Sequence, residues 1–259
     1  SLHIILQNRK DKLFGIVNGI DYNDFNPKTD PGIYKNYDVK SLENKLENKK
    51  HLQRYFKLPV KPDVPVVGMV TRIAEQKGFD LVMKILDDVL KLDVQFVIMG
   101  SGEKIYETFF KKLQKKYPKK VGTHLEFDAK KATSVYAGSD MFLMPSRFEP
   151  CGLGQLISLR YGSVPIVRAV GGLADTVTDF NPKTKKGNGF VFHSYNPRAL
   201  LIAIIRAIEN YRYSDNWNEL VKHGMDQVYS WEIPARKYLA LYRKALKFKK
   251  QNDNNKKSK

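Results

Sequence analysis

The sequence predicts an α/β fold: a doubly wound, Rossmann-like parallel sheet followed by C-terminal helices. Two observations carry this reading. From residue 65, short apolar runs of strand length alternate with amphipathic segments of helix length, the pattern of a parallel sheet covered on both faces. Three of those runs also lead directly into turns rich in glycine and charge, at the strand ends where open α/β sheets meet their ligands.

The strand-like runs are Pro65 to Val70, Gln95 to Gly100, His124 to Phe127, Met141 to Pro145 and Val164 to Arg168, with a shorter sixth at Gly189 to Phe192. Helical patterns fill the gaps at Gly78 to Leu90, Glu103 to Tyr117, Lys130 to Gly138 and Gly154 to Tyr161, which is βαβ spacing. Three more helices are expected after the sheet, at Pro197 to Tyr211, Asp215 to Tyr229 and Ile233 to Lys249. The first of them carries the run Ala199 to Ile205, apolar nearly all round, which predicts burial on most faces. The first 60 residues differ in kind. Asn18-Gly19, Asn26-Pro27 and Asp30-Pro31 mark turns, and the Lys/Asn/Glu-rich stretch from Lys35 to Lys50 reads as loop and one charged helix. The expected organisation is an entry or linker segment over 1–60, the sheet domain with its C-terminal helices over 61–249, and a disordered basic tail over 250–259.

A length of 259 residues is ample for a full hydrophobic core. No apolar run approaches the ~18 residues needed to span a membrane. Cys151 is the single cysteine, which excludes an internal disulfide and a cysteine-based zinc site and fits a reducing compartment. The formal charge of +18 raises nucleic acid as a partner. The lysines cluster at Lys111 to Lys120, Lys183 to Lys186 and Lys247 to Lys259, without the interleaved aromatics of a single-strand binder, so a solvated surface is the reading and no specific nucleic acid is expected.

Three strand-end motifs carry the chemistry. Ser146-Arg147-Phe148-Glu149-Pro150-Cys151-Gly152-Leu153-Gly154 follows the fourth strand and opens a helix, placing the Glu149 carboxylate one turn before a glycine-opened N-terminus. Free backbone N–H groups and the positive end of the helix dipole attract phosphate there, and glycine lets a ligand approach the backbone. After the first strand, Thr71-Arg72-Ile73-Ala74-Glu75-Gln76-Lys77-Gly78 sets two cations, Arg72 and Lys77, where they can converge on a diphosphate. After the fifth, Arg168-Ala169-Val170-Gly171-Gly172-Leu173-Ala174-Asp175 repeats the strand, paired-glycine, helix order. Each motif by itself also fits a plain turn or a pair of solvated surface charges.

Together with Asn18-Gly19-Ile20-Asp21 and Gly100-Ser101-Gly102, these motifs closely resemble the bacterial glycogen synthase and plant starch synthase family, in order and spacing from about Leu13 to Leu246. The resemblance implies a GT-B glycosyltransferase, two Rossmann-like domains facing a cleft, which extends an α-1,4-glucan with glucose from ADP-glucose, with retention of configuration. It matches only the C-terminal, nucleotide-sugar-binding half. The Lys-Thr-Gly-Gly-Leu loop and catalytic-site histidine of the family's N-terminal domain have no counterpart here, and Leu2 to Lys12 resembles the end of that half or its linker.

By the same resemblance, Arg72 and Lys77 match the diphosphate-binding pair and Glu149 the carboxylate that hydrogen-bonds the donor glucose. Cys151, Gly152, Leu153 and Gly154 complete the anion site, Gly171 and Gly172 form a further donor-side turn, and Gly100 and Gly102 lie where the ribose meets backbone. Phe127, 22 residues before Glu149, falls where relatives set an aromatic against adenine, and equally fits a core phenylalanine. No cofactor or metal is implied, since no Asp-x-Asp follows a strand and the cations with the helix end supply the electrostatics. Val170 stands where many relatives have Thr, and Ile157 where the broader retaining pattern places a second carboxylate, a difference the starch and bacterial glycogen synthases share. The Cys151 thiol reads as a small buried group rather than a reactive one.

The implied partners are ADP-glucose or another nucleotide-glucose, an α-glucan acceptor and the N-terminal GT-B domain. The implied location is cytoplasmic, or plastid for a plant-type relative. A binding module without turnover is the alternative, because a GT-B site forms only when two domains close. The helix around Trp231 to Lys247 resembles the segment that returns to the N-terminal domain and is expected to expose apolar surface.

Overall fold

The computed structural model describes residues 2–126 and 128–257. They fall into two compact units, one drawn from Ser1–Gly19 and Ser230–Lys259, the other comprising Ile20–Tyr229. The smaller unit contains α1 (Leu2–Gln7) and, at the other end of the chain, α10 (Glu232–Lys257).

In the larger unit the elements run α2 (Glu43–Tyr55), β1 (Val66–Val70), α3 (Phe79–Val89), β2 (Gln95–Met99), α4 (Lys104–Lys116), β3 (Val121–His124), α5 (Ala129–Gly138), β4 (Met141–Met144), α6 (Gly154–Arg160), β5 (Val164–Arg168), α7 (Gly172–Thr176), β6 (Phe190–Phe192), α8 (Pro197–Tyr211) and α9 (Ser214–Asp226). The six strands form one parallel sheet in the order β3-β2-β1-β4-β5-β6. The order reverses between β1 and β4, so the loops leaving those two strands diverge and open a crevice at their carboxyl ends.

Both faces of the sheet are covered. Val67, Met69, Phe96 and Ile98 pack in the main core with Phe79 of α3 and Phe110 of α4, while Val66, Val97 and Met99 pack with Leu52 of α2 and Val135 of α5. The alternation along β1 and β2 is the two-residue period of a strand buried on both sides.

The structure departs from the sequence reading in four places. The third strand begins at Val121 rather than His124, pairing Val121 with Phe96 and His124 with Met99. Its inner face is completed by Phe56, whose side chain sits where a Cβ on Gly122 would fall, so the strand lacks the apolar run that marks its neighbours. Residues 20–60 are not a linker. Asn26 and Asp30 each accept a hydrogen bond from the backbone N–H two residues on, making the turns expected at Asn26-Pro27 and Asp30-Pro31; Asp21 does the same, whereas no turn forms at Asn18-Gly19. Tyr37 then donates to the Tyr161 carbonyl, and Tyr161 to Asp30, tying this segment to the end of α6. Helix α8 buries one stripe, Leu200, Ala203, Ile204, Ala207 and Ile208, and leaves Ile202 and Ile205 exposed, because it packs over the sheet edge instead of inside a bundle. Finally, α10 extends to Lys257, through most of the segment expected to be a disordered tail. Residues 250–257 contain neither glycine nor proline, and extending an existing helix costs far less than nucleating one.

Candidate functional site at the sheet switch point

The loops after β1 and β4 supply the two groups that face each other in the crevice. Lys77 is carried by a 3-10 turn, Glu75–Lys77, which ends at Gly78. Gly78 adopts φ 80, and a Cβ there would lie 2.1 Å from the Pro145 carbonyl oxygen, so only glycine lets the two loops meet. Glu149 lies in the loop between β4 and α6 with 7% exposure. The Lys77 ammonium donates to its Oε2 at 2.6 Å, and the fully buried Ser146 hydroxyl donates to the same oxygen at 3.2 Å.

These groups line a cleft of about 160 Å³ with Thr71, Gly152, Leu153 and Gly154, floored by Tyr136, Leu143 and Ile157. The N-cap residue Leu153 makes no side-chain cap hydrogen bond, and Leu153 and Gly154, at the start of α6, line the cleft. The arrangement can hold an anion against Lys77 and that helix start, and polyhydroxyl groups against Glu149.

Not every residue singled out in the sequence lines this cleft. Arg72 is exposed and donates to the Gln76 side chain at 3.0 Å. Gly100 and Gly102 serve loop packing, because a Cβ on either would lie 1.9 Å from the Thr71 carbonyl oxygen or 2.0 Å from that of Ile73. Gly171 and Gly172 press on the Glu149 loop from behind. Their Cβ positions would fall 2.0 Å from the Glu149 and Cys151 carbonyl oxygens respectively, and the Gly172 N–H donates to the Glu149 carbonyl. Cys151 is half-buried, not buried, and its carbonyl accepts from Gln155. Phe127 lies outside the described residues.

Sequence reasoning did not single out Tyr136, which floors the cleft, or Tyr195, which contacts the Glu149 loop through two arginines. Both are isolated aromatics in segments without a motif.

The chain matches the model for the family "Glycosyl transferases group 1" over residues 53–223. It is 53% identical to a glycogen synthase of Desulforudis audaxviator over 93% of this chain and 48% of that protein. It is likewise 53% identical to one of Fervidobacterium nodosum, over 93% and 50%. Among solved structures it resembles the catalytic domain of starch synthase IV from Arabidopsis thaliana bound to ADP and acarbose, with TM-score 0.89 and 35% identity, covering 95% of this chain and 52% of that one. The chain thus spans about half the length of these relatives. With its Rossmann-like sheet and strand-end motifs, the chain belongs to the group 1 glycosyl transferases, and within that family it is similar to glycogen and starch synthases.

Proposed function

We propose that the chain is the nucleotide-sugar-binding half of a glycogen or starch synthase. The whole enzyme transfers glucose from ADP-glucose to the non-reducing end of an α-1,4-glucan with retention. The single observation that carries the reading is the Lys77–Glu149 pair at the switch point, a cation and a carboxylate on adjoining loops of one cleft. A nucleotide-glucose offers a partner to each. Its diphosphate takes the Lys77 ammonium, and its glucose hydroxyls donate to the Glu149 carboxylate, which orients the anomeric carbon.

In the reaction the bond from the anomeric carbon to the diphosphate breaks, a bond to the glucan hydroxyl forms on the same face, and the hydroxyl proton passes to the departing phosphate. Negative charge grows on that phosphate, so Lys77, the start of α6 and Arg72, once turned from Gln76, favour the transition state over the ground state. Glu149 steadies positive character on the sugar ring. The acceptor glucan and a second Rossmann-like domain complete the site, which accords with a chain half the length of its relatives. Similarity to bacterial glycogen synthases supports a cytoplasmic location.

The same half-length favours a second reading for the chain by itself, a nucleotide-sugar-binding module without turnover. Calorimetric titration of the 259-residue chain with ADP-glucose, ADP and UDP-glucose, beside transfer of radiolabelled glucose to glycogen, tests both. Binding of ADP-glucose without incorporation supports the module, incorporation excludes it, and absence of nucleotide binding overturns the primary reading.

A further inference from the structure

We infer that Tyr195 is a positioning residue for the donor carboxylate, acting through Arg147 and Arg168 to hold the Glu149 loop in place. The inference rests on the reading of Glu149 given above and assigns a role to a side chain outside the cleft.

Tyr195 follows β6 and joins groups from three other strand-end segments. Its hydroxyl donates to Asp80 Oδ1 at 2.5 Å, in the first turn of α3, directly after the Lys77 loop. The Arg147 and Arg168 guanidinium groups lie over its ring at 4.8 and 5.1 Å from the centroid, distances at which a cation is attracted to an aromatic face. Burial and the Asp80 contact push its phenol up to about 12, so it remains a neutral donor across the working range of pH.

The two arginines pass this anchorage to the Glu149 loop. Arg168 donates to the Arg147 carbonyl at 2.6 Å and the Ser146 carbonyl at 3.3 Å, and to the His193 carbonyl at 3.2 Å. Arg147 pairs with Glu75 at 2.8 Å and Asp80 at 3.3 Å, and its backbone N–H donates to the Gln76 carbonyl at 2.8 Å. Gln76 in turn donates to the Phe148 carbonyl at 3.3 Å. Residues 146–148 are thereby fixed against the Lys77 loop on one side and the β5 end on the other, and Glu149 is the next residue along. The Tyr195 ring is contacted by both guanidinium groups, so it ties together the two arginines that hold residues 146–148.

Two measurements on the 259-residue chain test this, with Tyr195→Leu removing the ring and Tyr195→Phe removing only the hydroxyl. The first needs no ligand: hydrogen exchange of the 146–150 segment, followed by mass spectrometry, against the β4 core at 141–144. Tyr195→Leu is expected to speed exchange in 146–150 at least 10-fold with 141–144 unchanged, and Tyr195→Phe to fall between it and the wild type. Equal acceleration of both segments, or none in 146–150, overturns the inference. Should Tyr195→Leu lose its cooperative melt, Tyr195→Phe decides the matter by the same comparison, with about 3-fold expected. The second is calorimetry with ADP and ADP-glucose. Tyr195→Leu is expected to keep ADP affinity within about 3-fold while losing most of the preference for ADP-glucose over ADP. Retention of the full preference counts against Tyr195. A wild-type chain that binds neither nucleotide counts against the function proposed above, while the exchange result still judges Tyr195.

Discussion

Lys77 Nζ lies 2.6 Å from Glu149 Oε2, joining the loop after β1 to the loop after β4 across the point where the strand order reverses. Each group satisfies the other, so a donor that engages either one competes with this ion pair. The two partners are unequal in what their loss exposes. Lys77→Met leaves a carboxylate of 7% exposure with the Ser146 hydroxyl as its described donor, and is expected to cost about 1.5–3 kcal/mol of stability together with about 10- to 100-fold in ADP affinity. Glu149→Gln leaves an ammonium with more access to water, and is expected to spare stability and ADP affinity while abolishing the preference for ADP-glucose. Thermal melts and calorimetry on the two variants check this, and equal loss of ADP binding in both would defeat it.

Gly171 holds φ 48 and ψ −135 at the turn after β5, and its missing Cβ makes room for the Glu149 carbonyl. Gly171→Ala puts a methyl 2.0 Å from that oxygen, a clash with backbone that a side-chain rotation cannot relieve. The expected cost is at least about 1–3 kcal/mol, from the strained dihedral alone. The Glu149 loop must then move outward, and ADP-glucose affinity is expected to fall more than 10-fold. A Gly171→Ala chain with unchanged melting and unchanged ADP-glucose affinity would show that the loop is not held from behind.

The sheet, its flanking helices and the three strand-end motifs were legible in the sequence because each has a local signature. Val66 to Val70 and Val164 to Arg168 are apolar runs, and Gly78, Gly152 and Gly171 carry the positive φ that their turns require. What the sequence hid depends on distant partners. Helix α2 looks like a solvated charged helix, yet it buries Asn48, Lys49 and Gln53 because the Lys35 and Lys61 backbones, the Gln95 amide and Asp140 receive them. Its close fit on α5 comes from Gly138, where a Cβ would lie 2.6 Å from Leu52 Cβ. Strand β3 was displaced for a similar reason, since Phe56 supplies the bulk that Gly122 lacks. Tyr195 carries no motif at all, and its meaning exists only where Arg147, Arg168 and Asp80 meet.

At the opposite end of the strands, Lys49 and Asp140 form an ion pair of 2.7 Å whose side chains are 3% and 12% exposed. Asp140 also accepts from the Val66 N–H at the start of β1, and Lys49 also donates to the Pro62 carbonyl and the Tyr211 hydroxyl. Removing one partner strands a buried charge, which costs about 3–5 kcal/mol. Lys49→Met is therefore expected to lower the denaturation midpoint sharply while leaving ADP affinity of the folded protein within about 2-fold, since the pair is not part of the cleft. Chemical denaturation beside calorimetry separates the two effects. Loss of ADP affinity in folded Lys49→Met would mean that the two ends of the sheet are coupled.

The hydrophobic clusters that hold the sheet draw all their buried members from residues 20–225, within the Ile20–Tyr229 unit, as does the cleft. That unit should fold by itself. The remaining unit is built differently: Phe14 lies under the Lys244 ammonium at 4.4 Å, and Leu239, Tyr242 and Leu246 stand exposed at helical spacing along α10, beside Phe248. An exposed apolar stripe of this kind drives association. A fragment of residues 20–229 is accordingly expected to melt cooperatively, to sediment as a monomer and to bind ADP within about 3-fold of the full chain. The full chain is expected to self-associate as its concentration rises, and Leu239→Lys with Leu246→Lys to suppress that association. Sedimentation velocity and calorimetry on the three proteins give the answer. An unfolded fragment would show that residues 20–229 do not fold by themselves, and a full chain that stays monomeric at high concentration would show that the α10 stripe does not drive association.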